Sequence, residues 1–172
     1  MSGSYAYVAD QTSGVHIVNI SDAGLPTRTG TFDTTGYSWG IVISGTYAYV
    51  ADYGSGLQIL NISDAGVPTR MGTYNTPGVA GGVAVSGGYA YIADGGAGLQ
   101  IINIADAAVP TRVGTFDTPD IARCVSVFGS YAYVADEASG VQIINISALG
   151  VPTRTSTFDT TGRARDVFVS GT

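Results

Sequence analysis

Four near-identical segments restrict what this chain can fold into. Tyr5–Asp10 reads YAYVAD, Tyr47–Asp52 YAYVAD, Tyr89–Asp94 YAYIAD and Tyr131–Asp136 YAYVAD. Each step is 42 residues, without insertion. At matching offsets follow SGVHIVNIS, SGLQILNIS, AGLQIINIA and SGVQIINIS. Then come LPTRTGTFDT, VPTRMGTYNT, VPTRVGTFDT and VPTRTSTFDT, and last GIVISG, GVAVSG, CVSVFG and DVFVSG. A period of this size marks an array of like units. The units are read as residues 5–46, 47–88, 89–130 and 131–172 of one repeat domain.

Within a unit, turn residues separate four strand-length runs. In the second copy these are Tyr47–Asp52, Leu57–Ser63, Thr69–Thr76 and Val83–Ser86. Gly54 and Gly56 end the first, Gly66 and Pro68 the second, and Pro77-Gly78 the third. Gly87-Gly88 leads into Tyr89 through a link short enough for a tight hairpin. Alternation puts Tyr47, Tyr49 and Ala51 on one face, with Ala48, Val50 and Asp52 on the other. Leu57 and Ile59 likewise oppose Leu60 and Ile62, so both faces are apolar. A sheet apolar on both faces has to be covered on both. No helix is predicted, so the sheets must cover one another. Radial stacking of four-stranded antiparallel sheets gives an all-β propeller, each unit a blade.

The repeat resembles the LVIVD family of propeller repeats, found in bacterial and archaeal surface proteins. The signature region falls on Val15–Asn19, Leu57–Asn61, Leu99–Asn103 and Val141–Asn145. This chain departs from it in having Asn where the family has Asp, and Gln or His at the second position. The resemblance implies a propeller fold and an extracellular or cell-surface setting for the parent protein. It implies little about activity.

If the VSG-type run is the inner strand A of a blade, the chain opens on strand B. Ser2-Gly3 then matches Ser44-Gly45, and Asp166–Ser170 is a strand A without its own blade. The expectation is a clasp, in which this C-terminal strand completes the first blade. Two closures satisfy it: an eight-bladed ring formed by a homodimer, or a four-bladed monomer. Four blades would set neighbouring sheets about 90° apart, and the small residues of these blades suit a wider ring better. Two-fold symmetry is also the commonest for homo-oligomers. The in-phase ends suggest a trimmed or engineered piece of a longer array.

Charge and composition narrow the partners. Charged residues are 12% of the chain, lysine is absent and the net charge is −6. That balance disfavours nucleic acid and anionic membrane surfaces. The first residues carry no signal-peptide pattern, and no run is long enough to span a membrane. With a single histidine, a single cysteine, no phosphate-binding loop and no Cys/His cluster, no cofactor, metal or catalytic residue is assigned. Cys124 stands where other copies have Gly40, Gly82 and Asp166, as a tolerated small residue. His16 replaces Gln58, Gln100 and Gln142 as a strand residue. The recurring Asp10, Asp52, Asp94 and Asp136 are expected to bond the N–H groups of their own following turns. Arg28, Arg70, Arg112 and Arg154 are expected to pair with carboxylates or carbonyls between blades.

Candidate binding residues lie where the copies differ. The B–C turns and D–A links vary, and in a propeller both emerge on one face. Trp39, Tyr37, Tyr53, Arg123, Glu137, Arg163, Arg165 and Asp166 form this candidate face, suited to a protein or small-molecule ligand. The reading is a non-enzymatic scaffold or interaction module. Its rival is a propeller hydrolase or lyase using Arg123, Arg165 and Asp166 near the channel.

Overall fold

The computed structural model describes residues 4–170. The first sheet holds β1 (Tyr5–Ala9), β2 (Val15–Asn19) and β3 (Thr27–Phe32). The second runs β4 (Gly40–Ser44), β5 (Tyr47–Ala51), β6 (Leu57–Asn61) and β7 (Thr69–Tyr74). The third is β8 (Gly82–Ser86), β9 (Tyr89–Ala93), β10 (Leu99–Asn103) and β11 (Thr111–Phe116). The fourth is β12 (Cys124–Phe128), β13 (Tyr131–Ala135), β14 (Val141–Asn145) and β15 (Thr153–Phe158). All pairings are antiparallel between neighbours in sequence, as in propeller blades. Each outermost strand carries a bulge, at Ile59/Leu60 opposite β7 and at the equivalent place in the other blades. A bulge twists an exposed edge away from flat pairing.

The core lies between blades. Tyr49, Ala51, Leu57 and Ile59 of blade two pack on Ala90, Ile92, Ile102 and Ile104 of blade three. Tyr91, Ala93, Leu99 and Ile101 repeat the contact on Ala132, Val134, Ile144 and Ile146 of blade four. Val15 and Ile17 of blade one do so on Ala48, Val50, Leu60 and Ile62 of blade two. In every junction the Tyr-bearing face of one blade meets the Ala/Val-bearing face of the next. Gly30, Gly72 and Gly114 let the following blade's loop come close: a Cβ on Gly72 would lie 2.1 Å from the carbonyl oxygen of Ala107.

The recurring aspartates join these junctions, though not as expected. Asp52 Oδ1 accepts the Thr34 hydroxyl at 2.7 Å and Oδ2 accepts the Gly36 N–H at 2.9 Å. Asp94 takes the same bonds from Thr76 and Gly78 at 2.6 and 2.8 Å. The carboxylate thus ties its blade to the preceding one. Its own turn is held instead by the Asp52 carbonyl, which accepts the Ser55 N–H at 2.8 Å. The recurring arginines also differ from expectation. Among the described residues none of them forms an ion pair, and Arg70 lies over the Phe32 ring at 5.5 Å. The strand-C asparagines close local turns, Asn61 Oδ1 accepting the Ser63 N–H at 2.9 Å.

The expected clasp is not formed within the chain. The first sheet has three strands, and residues 166–170 pair with none of them. They lie beside β12 instead: the Val169 N–H donates to Ser126 Oγ at 3.2 Å, and the Cys124 thiol points to the Val167 carbonyl. Among the described residues, no sheet pairing, hydrogen bond or core cluster joins blade one to blade four. The expected match of Ser2-Gly3 to Ser44-Gly45 lies outside the described residues.

Candidate functional site

The B–C turns and D–A links do emerge together, because they bond to one another. Gln11 bridges Ser38, Tyr53 bridges Ala80, Gly95 bridges Ala122 and Glu137 bridges Ala164. Each bridge links a blade's B–C turn to the connection leaving that blade. The turn residue is held at positive φ: 41° for Gln11, 45° for Tyr53, 56° for Gly95 and 39° for Glu137. Glycine adopts this conformation freely, while other residues lose about 1 kcal/mol or more there. Three copies nevertheless place a side chain at this variable position.

Beside these turns lies a cavity of about 820 Å³ around the inner strands. Trp39, Arg123, Arg165 and Asp166 line it, with Gln11, Ser38, Gly82 and Cys124. Small residues make its floor, since the inner strands nearly touch there. A Cβ on Gly82 would stand 2.8 Å from Cys124 Cα. The proposed site residues fall into two groups around this space. Trp39 and Tyr53 rings lie 5.0 Å apart, and Tyr37 meets Tyr53 edge-on at 5.8 Å. Trp39 and Tyr37 are both exposed. Tyr37 borders a shallower hollow of about 480 Å³ with Thr12, Asp33 and Thr35.

The second group is ionic. Glu137 is only 3% exposed. Its Oε1 accepts Arg123 Nε–H at 2.6 Å, and its Oε2 accepts Arg163 Nη1–H at 2.9 Å. A buried carboxylate needs such pairing, since an uncompensated charge there is costly. Arg123 therefore reaches the cavity already paired, and Arg163 is drawn toward Glu137, outside the cavity lining. Among the described residues no ion pair holds Arg165, the cation on the cavity wall beside Asp166. The structure thus brings Trp39, Arg123, Arg165 and Asp166 to one cavity, and leaves Tyr37, Tyr53, Glu137 and Arg163 to flank it.

Two further details bear on chemistry. Burial, reinforced by Asp166, pushes the Cys124 thiol up to about 11, so it stays protonated near neutral pH. Asp120 Oδ2 accepts the Ala138 N–H at 2.9 Å, so this carboxylate fixes a turn. Among the described residues no three His, Cys, Asp or Glu side chains cluster closely enough to hold a metal. The repeat could not reveal the Glu137 ion pairs, because Glu137 stands where the other copies have Gln11, Tyr53 and Gly95. The exposed Trp39 is expected to matter little for stability. Trp39→Ala should lower the melting temperature by no more than about 2 °C by calorimetry. A larger drop would remove Trp39 from the candidate surface.

A family model for the LVIVD repeat matches four times, at residues 1–34, 35–76, 77–118 and 120–160. No curated protein matches the chain. Among solved structures, the computationally designed Ika8 protein is similar with TM-score 0.72 and 7% identity, covering 98% of this chain and 49% of that one. A chain from the crystal structure of a nidogen/laminin complex is similar with TM-score 0.69 and 17% identity, covering 95% of this chain and 63% of that one. The chain spans about half and under two thirds of those chains, and at these identities the likeness concerns the fold.

Proposed function

The chain belongs to the LVIVD repeat family, and from that premise we propose that it is a non-enzymatic, self-assembling propeller scaffold. Two copies complete a ring of eight blades, and the turn-and-link face around the axial cavity is its binding face. The observation that carries this reading is a pair of complementary uncovered surfaces on the two end blades. On blade one, Val8 is 44% and Ile20 43% exposed, although their counterparts Val50 and Ile62 are buried. On blade four, Phe158 is 66% exposed, and Tyr133 and Ile143 are half-buried where Tyr91 and Ile101 are buried.

These are the two halves of the junction used three times inside the chain. Left uncovered they are an exposed apolar liability. Their chemistry is matched, and the surfaces differ, so contact is head-to-tail and must close as a ring or run on. Cavity walls from both copies would then enclose one channel mouth bearing Trp39 and Arg165 twice. Its partner is a protein or small molecule, with no cofactor, nucleic acid or membrane involved, at the cell-surface setting of the family's parent proteins.

The test targets the end face alone. Ile20→Arg places a charge on an exposed position, so the circular dichroism of the fold should be unchanged while the mass in solution halves relative to wild type. An unchanged mass, whether from a monomeric wild type or a variant that still assembles through other surfaces, would overturn the reading.

A further inference from the structure

We infer that residues 166–170 form the inner strand of the first blade of a second copy, so that the ring is locked by exchanged strands. This rests on the proposed two-copy closure and specifies how the copies join. Three blades pair their inner strand with the next: β4 with β5, β8 with β9 and β12 with β13. Among the described residues β1 has no such partner and pairs only with β2. The β1–β2 hairpin is otherwise complete, the Ile20 N–H donating to the Ser4 carbonyl at 2.8 Å as Ile62 does to Thr46.

The missing strand is already held in place at the other end of the molecule. The Glu137–Ala164 bridge repeats the three before it, so the link leaving blade four follows the path of the earlier links. Residues 166–170 then run beside β12, as β12 runs beside β8. This is the position of an inner strand for a fifth blade. Its sequence alternates like its sisters, yet it forms no ladder, and Phe168 is 87% exposed. An edge segment that has joined no sheet ladder is a template for pairing with another chain.

The register follows from the repeat. Val42 pairs with Tyr49 and Ile41 with Val50, which places Phe168 opposite Tyr7 and Val167 opposite Val8 of the second copy. A further bond is waiting at the same junction. Asp52 and Asp94 each take a threonine hydroxyl from the preceding blade, whereas Asp10 meets His16 Nε2 at 3.2 Å. The Thr160 hydroxyl, the counterpart of Thr34 and Thr76, donates to its neighbour Gly162. Exchange brings Thr160 of one copy to Asp10 of the other, restoring the tie that Asp52 and Asp94 make.

Engineered disulfides read this directly. In a Cys124→Gly background, Tyr7→Cys with Phe168→Cys is one pair, and Val8→Cys with Val167→Cys is a second on the opposite face. One of the two adjacent pairs sits at each kind of cross-strand site. Mild oxidation of the 172-residue chain is expected to give a covalent dimer on a non-reducing gel for at least one pair, and none for the single-cysteine variants. A dimer by mass that crosslinks with neither pair would overturn exchange and leave the two-copy ring standing. A crosslinked monomer would overturn both, since the strand would then complete its own first blade.

Discussion

Gly72→Val should destabilise the fold by about 3 kcal/mol, because a side chain there has nowhere to go. Its Cβ would lie 2.1 Å from the Ala107 carbonyl oxygen and 3.1 Å from Ala108. Both contacts are backbone of the next blade, so relief requires the blades to separate, opening a core that includes Ile59 and Ile102. Urea unfolding of wild type and variant measures the difference, and a loss below about 1 kcal/mol would mean that the junctions are looser than described. The same geometry makes a contrasting prediction at the fourth blade. There the position is Ser156, where Gly30, Gly72 and Gly114 stand in the others. A second copy docking in the internal register would meet the Ser156 side chain with its own loop. In the proposed two-copy ring, Ser156→Gly would remove that side chain and should tighten the dimer.

Removing one interblade carboxylate should cost a similar amount. Asp94→Ala leaves the Thr76 hydroxyl and the Gly78 N–H without their acceptor at a buried site, a loss of about 3 kcal/mol. The pH dependence separates this from a mere packing defect. Burial raises the carboxyls of Asp52, Asp94 and Asp136 above the ordinary 3.8, with the bonds from threonine and backbone opposing it for Asp94. A raised folded-state pKa means that the folded chain holds the proton more tightly than the unfolded chain. The resulting stabilisation is complete below about pH 3.8 and is lost as the pH rises through the folded-state value. Wild type should therefore gain stability over Asp94→Asn on going from pH 7 to pH 4. A gap that narrows on acidification would contradict this assignment.

The blades were legible because their residues answer to local rules. Glycines end the runs, alternation sorts Tyr49 from Val50, and the 42-residue step sets the register. The junctions were legible only in outline. That both faces are apolar requires covering, but the tie from Thr34 to Asp52 crosses from one unit to the next. Comparing copies cannot distinguish an aspartate that bonds its own turn from one that bonds a neighbour, since both recur every 42 residues. The pairing of Glu137 with Arg123 and Arg163, on connections either side of blade four, was hidden for another reason, since no other copy repeats it. Candidate-face residues were visible as departures from the repeat, and three of the four turn positions proved to hold side chains at positive φ. Closure was the least legible step, because it depends on how the two end blades meet, which no single repeat encodes. The three internal junctions leave Val8 and Phe158 uncovered.

The direct measurement is sedimentation equilibrium on the 172-residue chain over a wide dilution series. A species of twice the 17.5 kDa chain mass is expected, dissociating to single chains only at the lowest concentrations. A single 17.5 kDa species at every concentration, or assemblies of three or more chains, would contradict the two-copy ring.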